Sequence, residues 1–430
     1  GDYGIYSPSS PNSFIDGNEI FALRCIYSHS SDSISITNNV LTTDVNTRTY
    51  DDWSGGIRNA NSYNSIINNN FINSNNPNSD GGVVGIESHY SEISANTIIV
   101  SGGEDNMCTG IYAHNSAIIN NELDVSLLDE CNNGEISPYV LYSNGSTDEP
   151  SLIQGNIITA SSCSWGMRAS NAEILDNIID MSGGKPTLIL DTSSSLLVDN
   201  NLITSNNVAI LGWGSIDSLI ISNNTISSDS TAMSLSSSDV LISHNLIESQ
   251  GRGIEMYNQS GGEVSNNTII SPNSADYGIH ISNLTMPVVQ NNIIEGFANG
   301  IYAENDLKNQ FIQNNNLWNI SGDLFSGTAM PQLIGEMIDM NNNADTCDIY
   351  SNLNMDPLFV NPDSSDYNLQ ENSPCINAGH EGSELDPDGT IADMGAFYYP
   401  DPIVDTTLVV NPVTYNLSGQ AYLGDETDHS

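Results

Sequence analysis

The chain has 430 residues, of which 53 are Asp or Glu and only seven are Lys or Arg, so its formal net charge at pH 7 is −46. Such a negative field repels nucleic acid and anionic membranes, and we expect neither as a partner. The hydrophobic content of 38% is too high for a disordered acidic chain, and no apolar run is long enough to form a membrane span.

One short pattern recurs from the start of the chain to about residue 320. It consists of an apolar residue, two variable residues, an Asn, a variable residue and a second apolar residue, as in Ile153 to Ile158 and Ile242 to Ile247. Most intervals between successive Asn residues are 21 to 26 residues long. The recurring Asn residues are Asn18, Asn39, Asn70, Asn96, Asn121, Asn156, Asn177, Asn201, Asn224, Asn245, Asn267, Asn292 and Asn315.

The apolar residues come in short groups bounded by Asn, Ser and Gly, which indicates short strands and turns rather than helices. One coil of this length cannot bury its own apolar face, so successive coils must stack. Stacked Asn side chains can then hydrogen-bond up and down the column, and an Asn can also turn the chain in the left-handed conformation. We interpret these Asn residues as structural rather than as sugar ligands.

A second pattern precedes the first in most coils and consists of a small residue, an apolar residue and a variable residue, as in Gly85-Ile86-Glu87. The apolar residue is expected to point inward and its successor outward. The outward residues of the first seven coils are then Tyr6, Tyr27, Arg58, Glu87, Tyr112, Tyr142 and Arg168. Two residues further, on the same face, follow Pro8, His29, Ala60, His89, His114, Asn144 and Ser170.

Over residues 1–320 these repeats resemble the right-handed parallel β-helix superfamily, which has the pectate-lyase-like fold. The resemblance implies an all-β, right-handed parallel β-helix solenoid of about 13 coils. Asp356-Pro-Leu-Phe-Val and Ser373-Pro-Cys-Ile-Asn-Ala-Gly379 resemble the segment that closes many secreted bacterial β-helix proteins, which implies an extracellular or cell-surface location. The stretch from Asn416 resembles the opening strand of a carboxypeptidase-regulatory-type β-sandwich.

Three parts of the chain follow from these resemblances. Residues 1–325 are predicted to form the β-helix repeats, and residues 326–400 the last coils and the C-terminal closing segment. Residues 401–430 are predicted to form a linker and the first strand of a following β-sandwich module.

Six cysteines occur without a CxxC pair, which favours disulfides over a zinc or redox site. Cys347 and Cys375 flank the end of the repeats, where a cross-link would hold the last coils, and Cys108 and Cys131 fall in consecutive coils. Buried free thiols are the alternative.

The outward stripe carries two of the five Arg residues and three of the seven His residues. Aromatic rings can stack on sugar rings, whereas Arg and His can neutralise a uronate carboxylate or transfer a proton. The predicted binding residues are Tyr27, His29, Glu87, His89 and Tyr142. The candidate catalytic residues are Tyr112, His114, Arg58 and Arg168. In the alternative interpretation this is a solvated sheet face on which Glu87 pairs with Arg58.

Two groups of residues have the chemistry of metal ligands. Glu87, His89 and His114 suit a transition metal. Asp386, Asp388 and Asp393 alternate around a Gly as in a calcium loop, with an ordinary acidic turn as the alternative. We expect no cofactor to be required, and a structural calcium is the one ion that this loop would suit.

The features favour a non-enzymatic, adhesin-like module that presents a lateral face to a polysaccharide or surface protein and acts as a rigid spacer. A polysaccharide lyase or glycoside hydrolase using the Tyr/His/Arg stripe is the alternative, although the Gly-His-Gly and Arg-Ile-Lys strings of polygalacturonase-like members do not occur. Self-assembly into an extracellular filament is a third hypothesis, because rods of stacked strands have open ends.

Overall fold

The computed structural model describes residues 3–44, 54–76, 82–102, 108–127, 139–161, 165–237, 239–257, 261–282, 286–304 and 311–400. The predicted third part, residues 401–430, lies outside the described residues, and so do Cys131 and Cys163.

In the described part of the chain, 13 coils each contribute one strand to three parallel sheets, and a fourteenth strand extends the first sheet. The sheets are named A, B and C in the order in which the chain enters them. The 14 strands of sheet A are Tyr3–Pro8, Arg24–His29, Ser54–Ala60, Val83–His89, Cys108–His114, Tyr139–Asn144, Trp165–Ser170, Leu188–Leu190, Ile210–Gly212, Met233–Leu235, Ile254–Met256, Tyr277–Ile281, Asn299–Ala303 and Phe325–Ser326.

The 13 strands of sheet B are Phe14–Asp16, Ser35–Thr37, Ser65–Asn68, Ser91–Ser94, Ala117–Ile119, Ser151–Gln154, Ala172–Leu175, Leu196–Asp199, Leu219–Ser222, Val240–Ser243, Gly262–Ser265, Val288–Gln290 and Phe311–Gln313. The 13 strands of sheet C are Glu19–Phe21, Val40–Asp44, Phe71–Asn76, Thr97–Gly102, Glu122–Leu127, Ile157–Ser161, Ile178–Met181, Leu202–Ser205, Thr225–Ser228, Leu246–Ser249, Thr268–Ile270, Ile293–Glu295 and Asn316–Trp318.

Two antiparallel pairs follow the solenoid, Asp339–Met340 with Thr346–Cys347 and Phe359–Asn361 with Asp366–Leu369. The one helical segment in the described part of the chain is the 3₁₀ turn Pro362–Ser364. The predicted all-β parallel solenoid is therefore confirmed, and its strand counts stay close to the thirteen coils expected. Among the described residues no helix is long and apolar enough to cross a membrane.

The core is a set of apolar columns along the axis of the solenoid. Within one coil, Ile86 of sheet A, Ile93 of sheet B and Ile98 of sheet C are all completely buried. Each is aligned with an apolar residue of the next coil, as Ile86 is with Ile111. β-Branched side chains pack well on a pleated surface, so this repetition favours strands at every coil.

The small residue before the inward apolar residue of sheet A has a steric reason, which Gly85 illustrates. A Cβ at this position would lie 2.4 Å from Cγ2 of Ile98 and 2.6 Å from the carbonyl oxygen of Gly110. The backbone of sheet A therefore approaches sheet C and the next coil too closely for a side chain at this position.

The predicted Asn column forms a continuous ladder of hydrogen bonds. The Oδ1 atom of Asn201, for example, accepts from the backbone N–H of Asn177 at 2.9 Å and from its Nδ2 at 3.0 Å. The Nδ2 of Asn201 in turn donates to Oδ1 of Asn224 at 2.9 Å. The same contacts run from Asn18 through Asn315 and extend to Asn352, which the sequence pattern did not include. The ladder satisfies polar groups that would otherwise be buried without partners.

The left-handed residue of each turn is not the ladder Asn but the residue before it, as Asn38, Asn69 and Asn200 show with φ values near 55°. This corrects the expectation that the repeated Asn itself would turn the chain. The ladder Asn needs an inward side chain, whereas its predecessor points outward and makes the turn. That position therefore also accepts Ala95, Gly155 and Asp176.

The closing segment does not lie only at the end of the solenoid, because it also runs back along the outer face of sheet C. Leu246, Ile270 and Ile293 of sheet C form a buried cluster with Leu353, Phe359, Tyr367, Leu369, Cys375, Ile376 and Met394. The backbone N–H of Ala396 donates to Oγ1 of Thr268 at 2.9 Å, and that of Gly395 donates to the carbonyl oxygen of Asn291 at 2.7 Å. The outer face of the last coils of sheet C is thereby covered.

The cysteines of the described residues are free thiols, at Cys25, Cys108, Cys347 and Cys375. The predicted cross-link between Cys347 and Cys375 is therefore wrong. Both residues pack in the apolar cluster under the closing segment, so burial rather than a covalent bond holds this segment. Burial raises the pKa of Cys375 to about 12, which keeps its thiol protonated.

Candidate functional site

The outward column of sheet A has the predicted register. Tyr6 is aligned with Tyr27, Tyr27 with Arg58, and Arg58 with Glu87. The alignment continues from Glu87 through Tyr112 and Tyr142 to Arg168. The strands alternate between buried and half-buried residues, as Ile111, Tyr112, Ala113 and His114 do, so these side chains stand on the outer face.

The second predicted column lies beside the first. His29 is aligned with Ala60, and His89 with His114. The alignment of Asn59 with Ser88 places Ala60 and His89 at the same level of their strands. The histidines therefore share one face, as the sequence pattern predicts.

Aromatic rings on this face contact one another across the strands. The rings of Tyr112 and Tyr142 stack with their centroids 4.9 Å apart and their planes within 9°. The ring of His114 lies edge-on to Tyr112 at 5.1 Å and is 4.6 Å from the ring of His89. At the N-terminal end, Tyr27 lies 5.5 Å from Tyr6. The rings form a platform over several coils, with their outer sides half-exposed.

Three aromatic residues of this face were missed by the sequence pattern, namely Tyr3, Tyr139 and Trp165. In strict alternation, the previous outward residue of a strand would lie two positions before the outward column. In these strands the small residue and the apolar residue after it are both buried, as Cys25 and Ile26 are. The previous outward residue therefore lies three positions before the column. Tyr139 is aligned with Trp165, and their rings lie 6.2 Å apart. The signal available in the sequence was an aromatic residue three positions before Tyr142 and Arg168.

All five Lys and Arg residues of the described ranges lie over an aromatic ring of a sheet A strand, at 5.1 to 5.9 Å from the ring centroid. The pairs are Arg24 with Tyr3, Arg58 with Tyr27, Arg168 with Tyr139, Lys185 with Trp165 and Arg252 with Tyr277. In so acidic a chain, the positive charges of the described part are gathered on one sheet.

Carboxylates offset three of these charges, those of Arg58, Arg168 and Arg252. The Nε of Arg58 is 3.0 Å from Oε2 of Glu87, as the alternative interpretation of the stripe predicted. The Nε of Arg168 donates to Oδ2 of Asp191 at 2.9 Å, and its Nη1 donates to the hydroxyl of Tyr139 at 2.8 Å. The guanidinium groups of Arg58 and Arg168 are thereby held in place beside the rings, and each is neutralised by one carboxylate.

Partial burial shifts the titration of the central groups. Burial, the neighbouring His114 and the charge of Arg58 lower the pKa of His89 to about 4. Burial also lowers the pKa of His114 and raises the pKa of Tyr112 and of Glu87, although Arg58 opposes the shift of Glu87. Near neutral pH the imidazoles are therefore uncharged and able to accept a proton or a hydrogen bond.

The four candidate catalytic residues are not all brought together. Tyr112 and His114 are in contact, whereas Arg58 and Arg168 lie on strands on either side of them. Each Arg is two strands away from Tyr112, a separation of about 10 Å at the usual strand spacing. The arrangement is a long row of contacts rather than one compact catalytic centre.

Among the described residues no group of three or more His, Cys, Asp and Glu side chains is placed to hold a metal ion. In the acidic loop, Oδ2 of Asp386 accepts from the N–H of Asp393, Oδ1 of Asp388 from Thr390, and Oδ1 of Asp393 from Asn377. These carboxylates bind the turns of the closing segment, and the calcium site stays a prediction.

Comparison with known families agrees with this architecture. The model of the family described as "Right handed beta helix region" matches residues 125–275 and 236–391, which together make up more than half of the chain. The chain belongs to this family of right-handed β-helix proteins. A comparison with curated proteins gives no match.

Proposed function

We propose that the chain is a non-enzymatic module of an extracellular or cell-surface protein that binds a polysaccharide along the outer face of sheet A and acts as a rigid spacer. The observation that carries this proposal is the aligned column from Tyr6 to Arg168, which crosses seven coils in unbroken register. A surface protein as the partner is the other outcome of the test below.

The chemistry of the column supports a sugar ligand. Stacked rings such as Tyr112 and Tyr142 shield part of each other's faces and leave the rest of their half-exposed apolar surface to a pyranose ring. Half-buried imidazoles offer hydrogen-bonding atoms to its hydroxyls. The strands repeat at about 4.8 Å, so the contacts continue along a linear chain. A rigid sheet also loses little conformational entropy when it binds.

The test is an array of neutral and uronate polysaccharides probed with the unchanged chain and with Tyr112→Ala/Tyr142→Ala. We expect binding of the unchanged chain and a loss of at least about tenfold in affinity in the double variant, which corresponds to about 1.4 kcal/mol. Tyr398→Ala, which changes an exposed tyrosine of the closing segment, is the matched control and should bind normally. The proposal would be contradicted if the double variant bound glycan as tightly as Tyr398→Ala does. Capture of a protein and no glycan would contradict it as well.

A polysaccharide lyase is the second candidate, and the contact between Tyr112 and His114 favours it. An uncharged imidazole beside a phenol is the arrangement in which a proton can be taken from a sugar carbon and passed on. Incubation with uronate polymers would then release unsaturated products that absorb in the ultraviolet. His114→Ala should abolish this turnover with little change in thermal stability, because the side chain stands on the outer face.

A further inference from the structure

A second group of aromatic and charged side chains stands on sheet A, several coils beyond the column described above. Glu255 is aligned with His280 and His280 with Tyr302, so they occupy the same outward position as Tyr112. The ring of His280 stacks on Tyr302 at 4.9 Å with the planes within 5°. Tyr277 closes the group at 5.3 Å from His280 and 5.2 Å from Tyr302.

This second group repeats the chemistry of the first. Arg252 forms an ion pair with Glu255 and lies 5.9 Å from the centroid of Tyr277, as Arg58 pairs with Glu87 and lies 5.9 Å from Tyr27. In both groups a half-buried histidine adjoins a tyrosine ring. The Nδ1 atoms of His89 and His280 are buried and make no hydrogen bond in the described structure.

One unbroken register joins the two groups. The outward position passes from Arg168 through Ile189, Leu211 and Ser234 to Glu255, which is four strand spacings or about 19 Å. Ile189 and Ser234 are buried, so a ligand that spans both groups would pass over them rather than bind them. Trp213 directly follows the strand Ile210–Gly212, and the residue is 57% exposed. Alternation continued one residue beyond the strand would turn Trp213 to the outer face, where it offers one aromatic contact between the two groups.

The charges around the two groups favour a neutral polysaccharide over an acidic one. Arg252 faces the carboxylates of both Glu255 and Asp276, the latter at 3.2 Å, and in the first group Arg58 and Arg168 are each paired with one carboxylate. These three Arg residues are each neutralised by a carboxylate, and the chain as a whole carries −46. A polyanion would be repelled, whereas the hydroxyls and ring faces of a neutral glycan match both groups.

We propose that Arg252, Tyr277, His280 and Tyr302 form a second polysaccharide contact on sheet A, and that one long neutral glycan chain binds both contacts at once. This inference rests on the proposed function and adds to it a second site, a substrate class and a dependence on chain length. Two contacts joined by one ligand raise the apparent affinity, because the second binding event becomes intramolecular.

Calorimetric titration with defined neutral probes tests the proposal. The probes are the trisaccharides of β-glucan, xylan and mannan and the corresponding soluble polymers, with polygalacturonate as the acidic comparison. For the neutral backbone that binds, we expect two trisaccharides per chain and a polymer affinity at least tenfold higher than that of the trisaccharide. Polygalacturonate should bind more weakly than the neutral polymers.

Variants separate the two contacts. His280→Ala/Tyr302→Ala and Tyr112→Ala/Tyr142→Ala should each reduce the trisaccharide stoichiometry from two to one and lower the polymer affinity at least tenfold, whereas Tyr398→Ala should change neither. Trp213→Ala, at an exposed position where the fold is not at risk, should lower the polymer affinity and leave two trisaccharide sites.

The two proposals fail in different ways. A stoichiometry of one, lost in the Tyr112 variant and kept in the Tyr302 variant, would overturn the second contact and leave the proposed function standing. Absence of binding by every probe would overturn the proposed function itself. Tighter binding of polygalacturonate than of any neutral polymer would overturn the assignment to neutral glycans.

Discussion

The Asn ladder inside the coils and the outer face of sheet A are both built by stacking one residue per coil. The two stacks differ in whether every coil must supply the same type of residue. In the ladder each Asn donates to and accepts from an identical neighbour, as Asn177 and Asn201 do, so every coil must supply the same residue. On the outer face the aligned residue changes from Tyr27 to Arg58 to Glu87.

The difference follows from solvent. A buried amide without a partner is costly, whereas a half-exposed side chain can exchange a protein contact for water. The interior of each coil is therefore constrained by stability, and its outer face is free to carry a binding function. Substitutions at interior and outer positions should therefore differ in their effect on stability.

Replacing a ladder residue should be the most damaging change. Asn201→Ala removes the acceptor of two Asn177 donors and the donor to the carbonyl oxygens of Ile174 and Asp199. We expect a loss of about 3 kcal/mol in the free energy of unfolding, because each buried unsatisfied group costs roughly 1 to 3 kcal/mol. Urea unfolding measures it. Asn273→Ala, at an exposed turn position, is the matched control and should change stability by less than about 0.5 kcal/mol.

A methyl group at the junction of sheets A and C should be the next most damaging change. Gly85→Ala places a Cβ within 2.4 Å of Ile98, and overpacking of this kind costs about 1 to 3 kcal/mol. Gly184→Ala is the control, because a Cβ there would meet no atom within 4 Å. Equal melting temperatures for the two variants would refute the close approach of the sheets.

Glu295 lies on the outer face of sheet C near the closing segment, and we expect its carboxyl to titrate like a buried group. Burial and the nearby Asp356 raise the pKa of Glu295 from 4.5 to about 7. The folded state then binds the proton of Glu295 more tightly than the unfolded state does. The contribution of this protonated carboxyl to the free energy of unfolding is therefore fully present below about pH 4.5 and is lost as the pH rises through about 7.

Glu295→Gln should therefore stabilise the chain at about pH 8, by an amount on the order of 1 kcal/mol after solvent screening, and should add nothing near pH 4.5. Melting temperatures across this pH range measure the effect. Glu173→Gln, at an exposed position on sheet B, is the control. A gain that does not depend on pH would contradict the burial of Glu295.

The smallest effect on stability is expected at the open outer face. Trp213→Ala removes a large side chain at a residue that is 57% exposed, and we expect the free energy of unfolding to change by less than about 0.5 kcal/mol. Thermal unfolding of this variant and of Asn201→Ala would compare the loss of stability at the outer face with the loss in the interior. A large loss at Trp213 would mean that the face contributes to folding and is not free for binding.

The repeat in the sequence was sufficient to predict the parallel coil, the Asn ladder from Asn18 to Asn315 and the register from Tyr6 to Arg168. Each depends on a contact between equivalent residues of neighbouring coils, so the contact repeats at the coil interval and is visible as a repeat. A slip of one residue would turn Arg58 or Glu87 into the core, and the pattern therefore has one consistent register.

Features that depend on contacts between unlike parts of the chain are visible only in the folded structure. The position of the closing segment along sheet C, the free thiols of Cys347 and Cys375 beneath it and the end of the ladder at Asn352 involve residues that do not repeat. Tyr139 and Trp165 reach the outer face because alternation breaks at one buried pair, which a strictly alternating pattern does not include. The repeat places His280 and Tyr302 at the outward position, but the stacking of their rings and the contact with Tyr277 are visible only in the folded chain. The contacts of the closing segment leave no periodic trace in the sequence, because each occurs once and is selected by shape and burial in the folded chain.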